Sequence, residues 1–299
     1  MPEPGFPYAV DPRFDPRLAV THHRARVNGQ EIHYVRAGVG PPVVLLHGWP
    51  QTWYMWRKVL PLLAEHYTVI APDLRGFGES SKPLDGYDKR TVAADVWALT
   101  EALGLGPVRL VGHDMGGPVA YAYACAHPES VAQLVVLDVA ITTDEATSMA
   151  YRSRLFHLTF HCEPDIAVAL VSGRERTYLT HFYRNCYNPG AFTDADIEEY
   201  VAAFSAPGAM RASMAHYGAH AVDLVHNQEN AQTKLAMPVL GIGGELGFRN
   251  GVRKSLEQVA TDVRGGVLAG CAHWVAEEQP EALCRELFSF FAEAGGPRP

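Results

Sequence analysis

Short apolar runs alternate with helical spacings through the first half of the chain. Residues 23–27 and 30–36 flank Asn28-Gly29. That dipeptide tolerates the positive φ angles of a type I′ turn, so the segment predicts a hairpin. Pro42-Val43-Val44-Leu45-Leu46 and Tyr67-Thr68-Val69-Ile70-Ala71 predict buried strands. Across residues 91–103, Val92, Val96, Leu99 and Leu103 share one face of a helix. A strand at 108–112, a helix at 118–126 and a strand at 134–137 follow. Strands separated by helices form parallel sheets covered on both faces, so the pattern predicts an α/β fold with a mostly parallel central sheet.

The rhythm stops near Ile141. Residues 142–233 read as helices rich in aromatics, broken at Pro164, Asn188-Pro189-Gly190 and Pro207-Gly208. Strand spacing returns in Pro238-Val239-Leu240-Gly241-Ile242 and Gly266-Val267-Leu268, and a last helix covers 281–292. The expected organisation is a core in two parts, 1–141 and 234–299, interrupted by a helical lid over 142–233. Residues 1–20 are proline-rich and are expected to form a surface arm.

The composition narrows the function. The chain has 299 residues, 47% of them hydrophobic and 19% charged, enough to bury a core without disulfides. The net charge is −8 with no basic stripe, which excludes nucleic acid as an expected partner. Met1-Pro2-Glu3-Pro4-Gly5 lacks the basic and apolar regions of a secretory signal, and no apolar run reaches the ~18 residues of a membrane span. Cys125, Cys162, Cys186, Cys271 and Cys284 form no C-x-x-C pair, so reduced thiols in a cytoplasm are expected. The 14 histidines show no metal-ligand spacing. No metal and no cofactor are expected, and a homodimer is compatible with this reading.

The chemistry concentrates in Gly112-His113-Asp114-Met115-Gly116-Gly117, between a strand and a helix. It fits the nucleophile elbow G-x-Nu-x-G, with Asp114 in the place of the usual serine. The plain alternative is an Asp serving as a helix N-cap. Two further segments favour the elbow. His47-Gly48-Trp49-Pro50 follows an early strand, where the backbone N–H of Trp49 could join that of Met115 in an oxyanion hole. Cys271-Ala272-His273-Trp274 follows the last strand and places His273 where a catalytic base belongs in the order nucleophile, acid, histidine.

Over residues 24–291 the chain resembles the epoxide hydrolase and haloalkane/haloacetate dehalogenase branch of the α/β-hydrolases. The matching pieces are His47-Gly48-Trp49-Pro50, Asp73-Leu74-Arg75-Gly76-Phe77-Gly78-Glu79-Ser80, Gly112-His113-Asp114-Met115-Gly116-Gly117 and Gly270-Cys271-Ala272-His273-Trp274. An aspartate suits that chemistry. A carboxylate is ionised at pH 7 and attacks a saturated carbon without a general base. The resulting ester is hydrolysed by water activated at His273.

The resemblance implies a small, apolar epoxide as substrate and water as co-substrate. It also implies two lid donors for the epoxide oxygen. His157 and Tyr217 match the His/Tyr pair of one bacterial subgroup in order and position, with His161 and His216 as weaker substitutes. The plain alternative is that Tyr217 packs on an apolar helix face and His157 is incidental. The acid that orients His273 is Asp138, after the strand at 134–137, or Glu245, after Gly243-Gly244. Chemistry alone leaves both open, and the resemblance favours Asp138. Trp49, Phe156, Phe160, Phe182 and Tyr183 suggest an apolar, partly aromatic pocket.

Other reactions fit less well. Haloacetate dehalogenases resemble this chain in the lid but usually carry arginines just after the nucleophile. Here Met115 and Pro118 stand there, no arginine follows until Arg152, and Leu158 replaces an expected halide-binding Trp. Haloalkane dehalogenases usually place Trp directly after the nucleophile. Non-catalytic ligand-binding members of the fold typically lose part of the triad, which this sequence retains.

Overall fold

A computed structural model describes residues 11–153 and 155–293. Eight strands form one sheet: β1 (Thr21–Val27), β2 (Gln30–Ala37), β3 (Pro42–Leu46), β4 (Thr68–Pro72), β5 (Val108–His113), β6 (Val131–Leu137), β7 (Val239–Gly244) and β8 (Val263–Leu268). Their order is β1-β2-β4-β3-β5-β6-β7-β8. The pairs β1/β2 and β2/β4 are antiparallel and the rest parallel, so this is the α/β architecture read from the sequence. Asn28 and Gly29 turn the hairpin at φ 48° and 74°.

The helices are α1 (Leu60–Ala64), α2 (Lys89–Ala102), α3 (Gly116–Ala126), α4 (Glu145–Arg152), α5 (Phe156–Phe160), α6 (Pro164–Val171), α7 (Glu175–Tyr183), α8 (Asp194–Ser205), α9 (Ala209–Gly218), α10 (His220–Asn230), α11 (Gly251–Val259), α12 (Val275–Glu278) and α13 (Pro280–Glu293). α4 to α10 all fall between β6 and β7. Side chains alternate across a strand, so β3 sends Val44 and Leu46 to one face and Val43 and Leu45 to the other. The first pair joins a core with Val96 of α2 and Val119 of α3. The second joins Leu60 and Leu63 of α1 and Leu287 and Phe291 of α13. Both faces are therefore covered, as a parallel sheet requires. Among the described residues, no helix is long and apolar enough to cross a membrane.

Two expectations change. Residues 1–10 of the proposed surface arm lie outside the described residues. Residues 11–20 are partly tied down: Val20 is fully buried, and the buried Asp11 accepts hydrogen bonds from Arg13. Tyr183, expected in the pocket, is instead buried against Tyr200, and its hydroxyl donates to the Pro50 carbonyl. Its long apolar ring and single polar tip fit that core slot.

Candidate active site

Asp114 stands at the turn between β5 and α3 with φ 47°. The left-handed conformation is uncommon outside glycine, though Asp tolerates it better than most residues. The tight turn leaves no space beside it: a Cβ on Gly112 would lie 2.2 Å from the Gly116 carbonyl oxygen. A Cβ on Gly48 would lie 2.3 Å from the Asp114 Cβ, so glycine there lets the 47–50 turn approach the carboxylate. That approach brings the Trp49 N–H to Asp114 Oδ1 at 2.9 Å. Met115, the other expected oxyanion donor, follows as the N-cap residue of α3.

His273 comes from the loop after β8. Its Nε2 is 3.6 Å from Asp114 Oδ2, longer than a hydrogen bond. Its Nδ1 is 2.7 Å from Asp138 Oδ2. Asp138 follows β6, is buried, and also has a positive φ of 48°. Its Oδ1 accepts from the N–H groups of Gly244 and Phe248, each at 2.8 Å. With both acceptors occupied, the carboxylate is held in one orientation and fixes the imidazole with Nδ1–H towards it. Burial alone would lower the His273 pKa. The Asp138 hydrogen bond and the charges of Asp138 and Asp114 outweigh it and raise the value above that of an ordinary histidine. Glu245 is not brought to His273. Its Oε2 accepts the Gly270 N–H at 2.9 Å.

His157 on α5 and Tyr217 on α9 meet above Trp49. The His157 ring stacks on Trp49 with centroids 5.6 Å apart, and the Tyr217 ring stands edge-on at 5.9 Å. The two rings are 6.0 Å from each other. Tyr217 and Asp114 line one cavity. Burial pushes His157 down to about 4, against the charge of Asp114, so its imidazole is neutral at pH 7. His161 bonds the Tyr178 hydroxyl at 2.6 Å and is pushed down to about 3, chiefly by burial. His216 is buried and engages the Arg75 carbonyl at 2.9 Å. Of the expected aromatic wall, Phe182 contacts Trp49 at 4.8 Å, whereas Phe156 is 57% exposed.

Several supporting groups carried no motif signal. His113, inside the elbow, is buried and pushed down to about 4 by burial. It is therefore neutral, and its Nε2 donates to the His273 carbonyl at 2.8 Å. Glu278 accepts the Ala272 N–H at 2.9 Å and steadies the same loop. His113 could have been suspected from its place next to Asp114. The amides on Asp138 could not, because backbone N–H groups leave no trace in side-chain identity.

A mostly parallel sheet, an acidic residue on a strained strand-to-helix turn and a histidine from the loop after the last strand define an α/β-hydrolase. Residues 41–280 match the alpha/beta hydrolase fold family, and the chain belongs to it. Among individual proteins, it is 42% identical over 280 residues to the soluble epoxide hydrolase of Corynebacterium sp. (strain C12), covering 91% of this chain and 98% of that one. It is 32% identical over 284 residues to a fluoroacetate dehalogenase of Burkholderia sp., covering 88% and 91%. The solved structure of epoxide hydrolase CorEH without ligand superposes with a TM-score of 0.87 at 41% identity, covering 92% of this chain and 99% of that one.

Proposed function

We propose that this chain is an epoxide hydrolase that works through an ester of Asp114. Asp114 Oδ2 attacks one epoxide carbon, and the bond from that carbon to the ring oxygen breaks. The departing oxygen takes hydrogen bonds from Tyr217 and His157, and then a proton from Tyr217. Oδ1, held by the Trp49 amide, becomes the ester carbonyl oxygen. Water then attacks the carbonyl carbon and gives its proton to His273 Nε2, while Asp138 stabilises the imidazolium. The tetrahedral oxyanion develops on Oδ1, where the Trp49 and Met115 amides stabilise it by roughly 3–4 kcal/mol each. Collapse passes the His273 proton to the leaving alkoxide and releases a vicinal diol; the second water proton, left on the Asp114 carboxyl, goes back to Tyr217 and restores both groups.

In this reading residues 142–233 are a lid that presents His157 and Tyr217 to a core formed by 1–141 and 234–299. The five cysteines, free thiols in the structure, support a reducing cytoplasmic setting.

The observation that carries the reading is a carboxylate, not a hydroxyl, at the elbow, with His273 Nε2 3.6 Å from its outer oxygen. The 42% identity to a soluble epoxide hydrolase supports epoxides over halides as the electrophile. The test is a panel of neutral epoxides, fluoroacetate and 1-haloalkanes, scored for diol and for halide. Diol from the epoxides is expected. Halide release without any diol would replace this function with dehalogenation, and binding without turnover would replace it with a receptor.

A further inference from the structure

The cavity beside Asp114 is not apolar throughout. Met115, Leu158 and Tyr217 line it with Asp114, and so do charged residues brought from α2, α4 and α10. Two cations line it, Lys89 and Arg152. The Lys89 ammonium is already matched: its Nζ is 3.0 Å from Asp223 Oδ2 and 3.0 Å from the His216 carbonyl oxygen. Arg152, at the end of α4, has no carboxylate partner among the described residues. Its guanidinium bonds only the Cys162 sulfur, at 3.0 Å, which is a weak acceptor.

A half-buried guanidinium without an anion has given up water without recovering an ion pair. The two carboxylates in the same lining are engaged elsewhere, Asp223 by Lys89 and Asp114 by the Trp49 amide. His220 shares the same wall and is bonded through Nε2 to the Ser148 hydroxyl at 2.6 Å; burial and then the charge of Arg152 lower its pKa, against the pull of Asp223. The planar fork of an arginine matches a carboxylate with two parallel hydrogen bonds.

We propose that the substrate is an epoxide that also bears a carboxylate, with the epoxide at Asp114 and the acid group held by Arg152. This rests on the epoxide hydrolase reading above and puts a charged group on the small, apolar epoxide that the resemblance implied. Arg152 then acts as a specificity-determining residue. It binds a part of the substrate that does not react, so its contribution appears mainly in KM. Leu158 and Tyr217 also line this cavity, and their apolar surface suits a hydrocarbon spacer between the two groups.

The test compares ω-epoxy carboxylic acids of increasing chain length with their methyl esters, which keep the shape and lose the charge. For the chain length that fits, the wild-type protein is expected to favour the acid by kcat/KM. R152Q should shrink the acid-to-ester ratio by about 10- to 100-fold, the range for a hydrogen bond to a charged group, mainly through KM. R152K, which keeps the charge without the fork, should restore part of the ratio. Thermal melting of R152Q separates this from misfolding. Equal kcat/KM for acid and ester at every length, or an unchanged ratio in R152Q, overturns the assignment while leaving epoxide hydrolysis standing. No turnover of any epoxide overturns both. Arg152-dependent fluoride release from fluoroacetate would overturn the epoxy acid and assign the anion site to a haloacid.

Discussion

Asp138 and His273 are separated by 135 positions in the chain, and the structure joins them at 2.7 Å through Oδ2 and Nδ1. The sheet explains the meeting. Asp138 leaves the end of β6, β7 lies beside it, and β8 lies beside β7, so the loop after β8 returns over the same edge. Replacing Asp138 with Asn should strand the ester intermediate with a loss on the order of 10⁴-fold in its hydrolysis, as in a serine-protease triad whose acid becomes an amide. Intact-protein mass spectrometry should show Asp138→Asn and His273→Gln each carrying one epoxide mass. Glu245→Gln should turn over nearly normally. An adduct on Glu245→Gln, with none on Asp138→Asn, would reverse the assignment.

Asp114 is expected to acquire solvent oxygen. Water attacks the ester carbonyl, so a single turnover in heavy-oxygen water should label the peptide containing Asp114. Label found only in the diol would mean direct attack of water on the epoxide.

Tyr217→Phe and His157→Phe each remove a donor while keeping a ring on Trp49. Each should slow formation of the alkyl-enzyme by about 10²- to 10⁴-fold if it acts as a typical acid catalyst. Stopped-flow fluorescence of the single-turnover reaction reports this step directly. An unchanged alkylation rate in either variant removes that residue from the mechanism.

The pH dependence follows from His273. Its pKa is raised in the free protein, partly by the charge on Asp114. Esterification removes that charge, so the pKa should fall in the alkyl-enzyme, freeing the neutral base when it is needed. Hydrolysis should therefore rise with pH through a value below the one found by NMR titration of free His273. His157, at about 4, should add no limb between pH 5 and 8. Equal His273 values in the two states would contradict the coupling.

Asp73 sets an acid limit on stability. Burial opposes its charge, but hydrogen bonds and charge from His33, with the Trp53 N–H, hold it at about 2 against an ordinary 3.8. A depressed carboxylate stabilises the fold above its unfolded value and loses that contribution as pH falls through the folded one. Asp73 should thus contribute about 2 kcal/mol that is present above pH 4 and gone near pH 2. Urea melts of Asp73→Asn should be displaced from wild type at pH 6 and approach it near pH 2.

Much of this protein was legible before folding was considered. Pro42-Val43-Val44-Leu45-Leu46 could only be a buried strand, and β3 spans those residues. Asn28-Gly29 dictated a hairpin because few other dipeptides accept two positive φ angles. Gly112-His113-Asp114-Met115-Gly116 announced a strained turn, since its glycines stand where a Cβ would collide with backbone. These features are local: spacing and sterics within a few residues determine them. The helix α1 escaped the reading because five residues are too few to show a period, whereas α11, also missed, carries Val252, Leu256 and Val259 at helical spacing.

What only the tertiary structure decided depends on groups far apart in sequence. Asp138 and Glu245 were equal as chemistry. Strand order and two backbone amides turned Asp138 to His273, and the Gly270 amide drew Glu245 elsewhere. Arg152 looked too distant from Asp114 to matter, being 38 positions along the chain. Packing of α4, α9 and α10 places it in the wall of the same cavity, where Lys89 is matched by Asp223 and Arg152 has no carboxylate partner among the described residues. Whether a charge has a partner is settled by three-dimensional neighbours, and no local pattern of residues encodes them.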